Sequence, residues 1–190
     1  MGESGNHRGW LATALAEYRG RWPDNGESVA LFEGLLNDLA GVDPFRRERL
    51  GGHFTGSAWL VSADGERALL LHHRKLDRWL QPGGHADGDG NLAAVALREA
   101  QEETGLRGLR VDPKVFDIDR HRIPARGAEP EHWHYDVRFV VHAGDDEAFT
   151  VGEESHALAW RLIAAIATDP DMDESVRRLA RKTLDGTGSV

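Results

Sequence analysis

Glu99, Glu102 and Glu103 follow a glycine-rich stretch, Gly83-Gly84-His85-Ala86-Asp87-Gly88-Asp89-Gly90, with offsets of three and four residues from the first carboxylate. On a helix those offsets bring all three onto one face within about one turn, roughly 5–6 Å of rise, where they repel one another. A hard divalent cation relieves that repulsion. Magnesium and manganese prefer oxygen ligands in octahedral geometry and keep positions open for water and phosphate oxygens. Arg98, four residues before Glu102, is placed to pin one carboxylate while the others bind the ion. The plain alternative is a solvated, charged helix end; the fixed register behind a glycine loop argues against it.

The helix itself follows from pattern. Leu92, Ala93, Ala96 and Ala100 fall on one stripe at helical spacing, and Gly105 suits a left-handed cap that Leu106 closes. The run from Gly84 to Leu106 resembles the Nudix box, G-x5-E-x7-R-E-U-x-E-E-x-G-U with U a bulky aliphatic. It matches at Gly84, Arg98, Glu99, Glu102, Glu103, Gly105 and Leu106 and departs at Gly90, in place of the first glutamate, and at Ala100, in place of a larger aliphatic. Six fixed polar or glycine positions in register arise by chance on the order of once in ten million starts. In the family the first glutamate mainly braces the loop, and Asp87 and Asp89 lie close enough in sequence to take that part. The resemblance implies a metal shell of Glu99, Glu102, Glu103 and the Gly84 carbonyl, holding Mg2+ or Mn2+. It also implies an acidic residue on the loop before a late strand, here Glu154, as a catalytic base or extra ligand.

Other residues carry chemistry around this core. His85 directly follows the box glycine, within reach of a phosphate or metal-bound water. In His132-Trp133-His134-Tyr135-Asp136-Val137-Arg138-Phe139, strict alternation sends His132, His134, Asp136 and Arg138 to one strand face and the aromatic and aliphatic residues to the other. The polar face reads as a substrate wall. An H-x-H-x-D spacing also suits zinc or iron, a reading that lacks further obvious ligands in the sequence. Arg74, Lys75 and Arg78 ahead of the box, and Arg120, Arg122 and Arg126 in a long loop before His132, supply guanidinium and ammonium groups for a diphosphate, with most expected to be surface charges. The substrate-facing set is therefore Arg74, Arg78, His85, His132, His134 and Arg138.

The 190 residues, 40% hydrophobic, suffice for one domain with a sizeable core plus an appendage. A net charge of -9 and a pI near 5.5 argue against nonspecific nucleic-acid binding. With no cysteine, disulfides, thiolate zinc sites and cysteine nucleophiles are excluded. No apolar run approaches the ~18 residues of a membrane span, and the N-terminus lacks a secretory core, so a cytoplasmic protein is expected.

Two helical patterns, Trp10 to Arg21 and Glu27 to Leu39, flank the turn Trp22-Pro23-Asp24-Asn25-Gly26 and make residues 1–45 an accessory hairpin, a candidate homodimer surface. Arg46-Arg47-Glu48-Arg49 reads as a solvated helix turn. Within residues 46–190, strands are expected at Phe54 to Val61, Ala68 to His72, Trp79 to Gln81, Leu109 to Asp119, His132 to His142 and Ala157 to Trp160, with a closing amphipathic helix from Asp173 to Leu184. Strands around a central helix, with a late helix opposite, give an α/β/α sandwich with a mixed sheet. The Nudix resemblance, over residues 53–185, implies the same fold.

The expected activity is Mg2+- or Mn2+-dependent hydrolysis of a phosphoanhydride in a nucleoside diphosphate linked to another moiety, with Arg98, Glu99, Glu102 and Glu154 as the catalytic set. The alternative is a Nudix-fold sensor that binds a nucleotide or ADP-ribose-type ligand without cleaving it, against which the intact carboxylates speak. Isomerisation of a prenyl diphosphate, performed by a related branch with a cysteine, is excluded.

Overall fold

The computed structural model describes residues 3–127, 129–152 and 155–186. Helices α1 (Glu3–Arg21) and α2 (Gly26–Asn37) are joined by a 3-10 turn at Pro23–Asn25, where proline stands at the first helical position. Seven described strands follow: β1 (His53–Val61), β2 (Arg67–His73), β3 (Arg78–Leu80), β4 (Gly83–His85), β5 (Arg110–Ile123), β6 (His132–His142) and β7 (Ser155–Leu162). Helix α3 (Leu92–Thr104) lies between β4 and β5, and α4 (Ile163–Thr168) and α5 (Glu174–Leu184) close the chain. Residues 46–49 form turns, not a helix turn: the Arg46 N–H donates to the Asp43 carbonyl and the Arg49 N–H to the Arg46 carbonyl, as in successive tight turns.

The sheet is mixed, with order β3-β2-β1-β6-β5; β4 pairs with β1, and β7 with β2. Strand β1 runs parallel to β6 in continuous register from His53↔His134 to Val61↔His142, and its remaining pairings are antiparallel. All nine β1 residues are buried because helices cover both faces. One face sends Phe54, Ala58 and Leu60 against Leu92, Val95 and Ala96 of α3, and the other packs Trp59 and Val61 against Ile163, Ile166, Val176 and Leu179 of α4 and α5. This is the expected sandwich.

The N-terminal hairpin shares the first of these cores. Leu11, Leu15, Tyr18, Val29 and Phe32 are fully buried in it, Trp10 stacks on Phe139, and Phe32 meets Tyr135 edge-on at 5.2 Å. Strand β5 runs further than expected, to Ile123, so Arg120 and Arg122 belong to a strand and only Arg126 to the loop. Cross-strand contacts account for the extension: the Arg120 guanidinium lies 3.7 Å from the Trp133 ring centre, and Arg122 pairs with Glu131. Near its start β5 is irregular, with register shifts between Val111 and Val115 and between Val115 and Asp117.

Candidate active site

Helix α3 is fixed at both ends by its own residues. The Asn91 side chain accepts the Ala94 N–H, and Gly105 takes a left-handed φ of 70° at the C-terminus. Its buried stripe, Leu92, Ala93, Val95, Ala96 and Ala100, locks the rotation that turns Glu99 and Glu103 toward β4. There the carboxylates meet the glycine pair. The Gly83 N–H donates to Glu103 Oε2 at 2.9 Å, and a Cβ built on Gly84 would stand 2.4 Å from Glu99 Oε2. Any side chain at 84 would therefore evict the Glu99 carboxylate. Glu102 lies on the exposed side of the same turn.

Arg98 sits between this group and the loop. One guanidinium nitrogen is 3.3 Å from Glu99 Oε1 and 3.4 Å from the His85 carbonyl, and another is 3.9 Å from Asp89. Burial pushes the Glu99 carboxyl above its ordinary pKa, against the pull of Arg98, and Glu102 adds to the rise. A carboxylate whose charge is disfavoured by burial and by a like neighbour is suited to a cation. The donor set, carboxylate and carbonyl oxygens only, fits a hard divalent ion.

The loop is held from outside the box. Arg47 grips Asp87 with two parallel bonds of 2.6 and 2.5 Å, and Asp89 accepts the Asn91 N–H at 2.9 Å. Gly90, in place of the box's first glutamate, is covered by His7 of α1.

Beside the carboxylates lies a group of five histidines from four strands: His53 of β1, His85 of β4, His121 of β5, and His132 and His134 of β6. The parallel register sets His53 against His134, and the antiparallel one sets His121 against His134. The His53 ring lies 5.2 Å from His85, 5.1 Å from His132 and 4.9 Å from His134. Burial, with the neighbouring rings, lowers His53 to about 4 and His134 to about 2, and burial followed by Arg47 lowers His85.

The remaining expected site residues are dispersed. Arg138, 2% exposed, is enclosed by Asp136 at 2.8 Å, Asp119 at 3.3 Å and Asp117 at 3.5 Å, and the Thr55 and Ser57 hydroxyls donate to Asp136. Its charge is spent inside the sheet–α5 layer. Arg74 donates to the Ser155 carbonyl, and Arg78, largely exposed, pairs with Asp173. Glu154 lies outside the described residues. His53 escaped the sequence reading because its significance depends on a strand 81 positions away; its one local signal is the alternation His53, Thr55, Ser57 within an otherwise apolar strand.

A family model described as the NUDIX domain matches residues 53–182. The chain belongs to this family. The Nudix chain is 30% identical over 139 residues to a Mycobacterium tuberculosis protein named "Putative 8-oxo-dGTP diphosphatase 3", a match covering 67% of this chain and 62% of the relative. Over 100 residues it is 34% identical to the CMP-5'-(N-acetyl-N-hydroxy-3-aminopropyl)phosphonate hydrolase of Streptomyces rubellomurinus, covering 48% of each. It thus spans less than two-thirds of the length of these relatives. A C. elegans Ap4A hydrolase crystal structure superposes with a TM-score of 0.55 at 17% identity, covering 70% of this chain and 95% of that one, a likeness of fold alone.

Proposed function

We propose that this Nudix protein hydrolyses a phosphoanhydride bond in a nucleoside diphosphate linked to another moiety, using Mg2+ or Mn2+. The observation that carries the reading is the convergence of Glu99 and Glu103 on Gly83-Gly84, with Glu102 on the same turn. Glu99, Glu102, Glu103 and the Gly84 carbonyl would hold the ion, which when bound supplies charge stabilisation at the phosphoryl oxygens and a more acidic water. Arg98 orients Glu99 and, through the His85 carbonyl, ties the helix to β4. Water oxygen attacks phosphorus, the bridging P–O bond breaks, and the water's proton passes to Glu99 or Glu154. The leaving group departs as a phosphate-terminated product. His85, beside the box glycine, would face the substrate, while Arg74 and Arg78 would have to leave the Ser155 carbonyl and Asp173 to reach it.

The names of the two relatives, a putative diphosphatase of a nucleoside triphosphate and a hydrolase of a CMP conjugate, support a nucleotide substrate. The same reading has the protein in the cytoplasm, with no nucleic-acid or membrane partner, consistent with its net charge of -9. Among the described residues no helix is long and apolar enough to cross a membrane.

The test is a screen of nucleoside triphosphates, nucleotide sugars, dinucleoside polyphosphates and coenzymes with millimolar Mg2+ or Mn2+, followed by a coupling phosphatase and phosphate detection. Turnover that needs the divalent ion supports the hydrolase. Ligand binding without turnover across the panel makes the protein a sensor.

A further inference from the structure

We infer that His53, His132 and His134 form a second metal site, for a borderline transition-metal ion such as Zn2+, distinct from the carboxylates of the box. One ligand nitrogen from each residue lies within 4.8 Å of the other two. His132 Nε2 and His134 Nε2 face each other at 3.2 Å. Nitrogens bound at 2.0–2.1 Å to a tetrahedral ion stand about 3.3 Å apart, so the pair already has the spacing of two ligands on one ion.

The hydrogen bonding points the same way. His132 Nδ1–H donates to the Pro130 carbonyl at 2.9 Å, which leaves the Nε2 lone pair aimed at the group. That is the arrangement by which a backbone acceptor fixes the tautomer of a metal-bound histidine. His53 supplies the independent observation. It is 1% exposed, and neither of its buried ring nitrogens has a hydrogen-bond partner. A buried imidazole without a partner is costly unless something binds it.

Three imidazoles brought together in this way select a borderline ion over magnesium, which prefers oxygen. Glu129, with Oε1 3.8 Å from His132 Nε2, lies within reach of the fourth position, which otherwise falls to water. The sequence displayed two of these histidines in an H-x-H-x-D run, but Asp136 is taken by Arg138, Thr55 and Ser57, which leaves the pair without a third ligand from its own strand. The parallel β1–β6 register supplies it.

The experiment titrates chelator-stripped full-length protein with Zn2+ against a chromophoric competitor, in millimolar Mg2+. One Zn2+ per chain is expected, with His53→Gln and His134→Gln each weakening it about a hundredfold, and the Glu102→Gln/Glu103→Gln double variant binding as wild type. Circular dichroism monitors folding of the variants. X-ray absorption on zinc-loaded wild type reads the ligands without any substitution, and a shell with three imidazoles is expected. The site is overturned if wild type binds no stoichiometric Zn2+ beside Mg2+, if folded His53→Gln retains wild-type affinity, if the box variant loses the ion, or if the absorption shell contains fewer than three imidazoles.

Discussion

The His7 Cβ of α1 lies 2.5 Å from the point where a Cβ on Gly90 would stand. The N-terminal helix thus occupies the space above the position at which the family's box carries a glutamate. Restoring that glutamate is therefore expected to injure the protein. Gly90→Glu should lower stability by about 1–3 kcal/mol through overpacking, with no gain in activity. Urea unfolding measures it, and His7→Gly in the same chain should return part of the loss. A Gly90→Glu protein as stable as wild type and more active would show that α1 yields freely.

The carboxylates of the box predict a separate phenotype. Glu→Gln at Glu102 and Glu103 keeps shape and helix propensity while removing two charges. Melting temperature should hardly move, and turnover of the best substrate should fall about a hundredfold or more. Activity within about twofold of wild type, under ~0.5 kcal/mol in barrier, would refute the metal-hydrolase reading.

The legibility of this site was uneven for a physical reason. Glu99, Glu102, Glu103, Arg98 and Gly105 are related by helical offsets, so a short window displays their geometry. The alternation that set Arg138 beside His132 and His134 reported a strand face correctly. It could not tell that farther along this face three aspartates and α5 enclose the guanidinium, whereas the histidines gather near β4. His53 and His7 act through pairings far apart in the chain, and no local pattern encodes such partners. The short α4 passed unnoticed because six residues, Ile163–Thr168, give barely two turns of periodicity.

The buried ion network sets an acid limit. Burial alone would raise the Asp117 and Asp119 carboxyls, but for Asp117 the charges of Arg178, Arg138 and Lys182 prevail, and for Asp119 the His121 contact with Arg138 and Arg178 prevails. Both are held below the ordinary 3.8, and Tyr18 also hydrogen-bonds Asp117. A carboxyl with a depressed folded pKa contributes stability that is complete above its unfolded value and is lost as pH falls toward the folded one. The stability gap between wild type and Asp119→Asn should therefore be full at neutral pH and close as pH drops below 3.8. Urea midpoints for the two proteins across pH 7 to about 3 check this; a gap that widens on acidification would reverse the assignment.

Removal of residues 1–45 separates two views of the hairpin. As a stretch of sequence ahead of every strand it reads as an accessory; in the packing, Leu11, Leu15 and Phe32 are part of the core beneath α3 and β6. The packing predicts that Leu15→Ala costs about 2–5 kcal/mol and that the fragment from residue 46 loses cooperative unfolding. A truncated chain with a sharp thermal transition near that of the full protein would make the hairpin dispensable.

The irregular start of β5 bears on how copies of this protein can meet. An end strand of a sheet is a template onto which a second chain can zip, and a flat, regular one invites fibres. Here the outer strand is kinked by its register shifts, and Arg21 of α1 already claims the Val115 carbonyl at 2.6 Å. Charged Arg110, Asp112 and Lys114 crowd the same stretch. Sheet extension along this first part of β5 is opposed from within the chain, so that stretch of the border carries its own guard against edge-to-edge pairing.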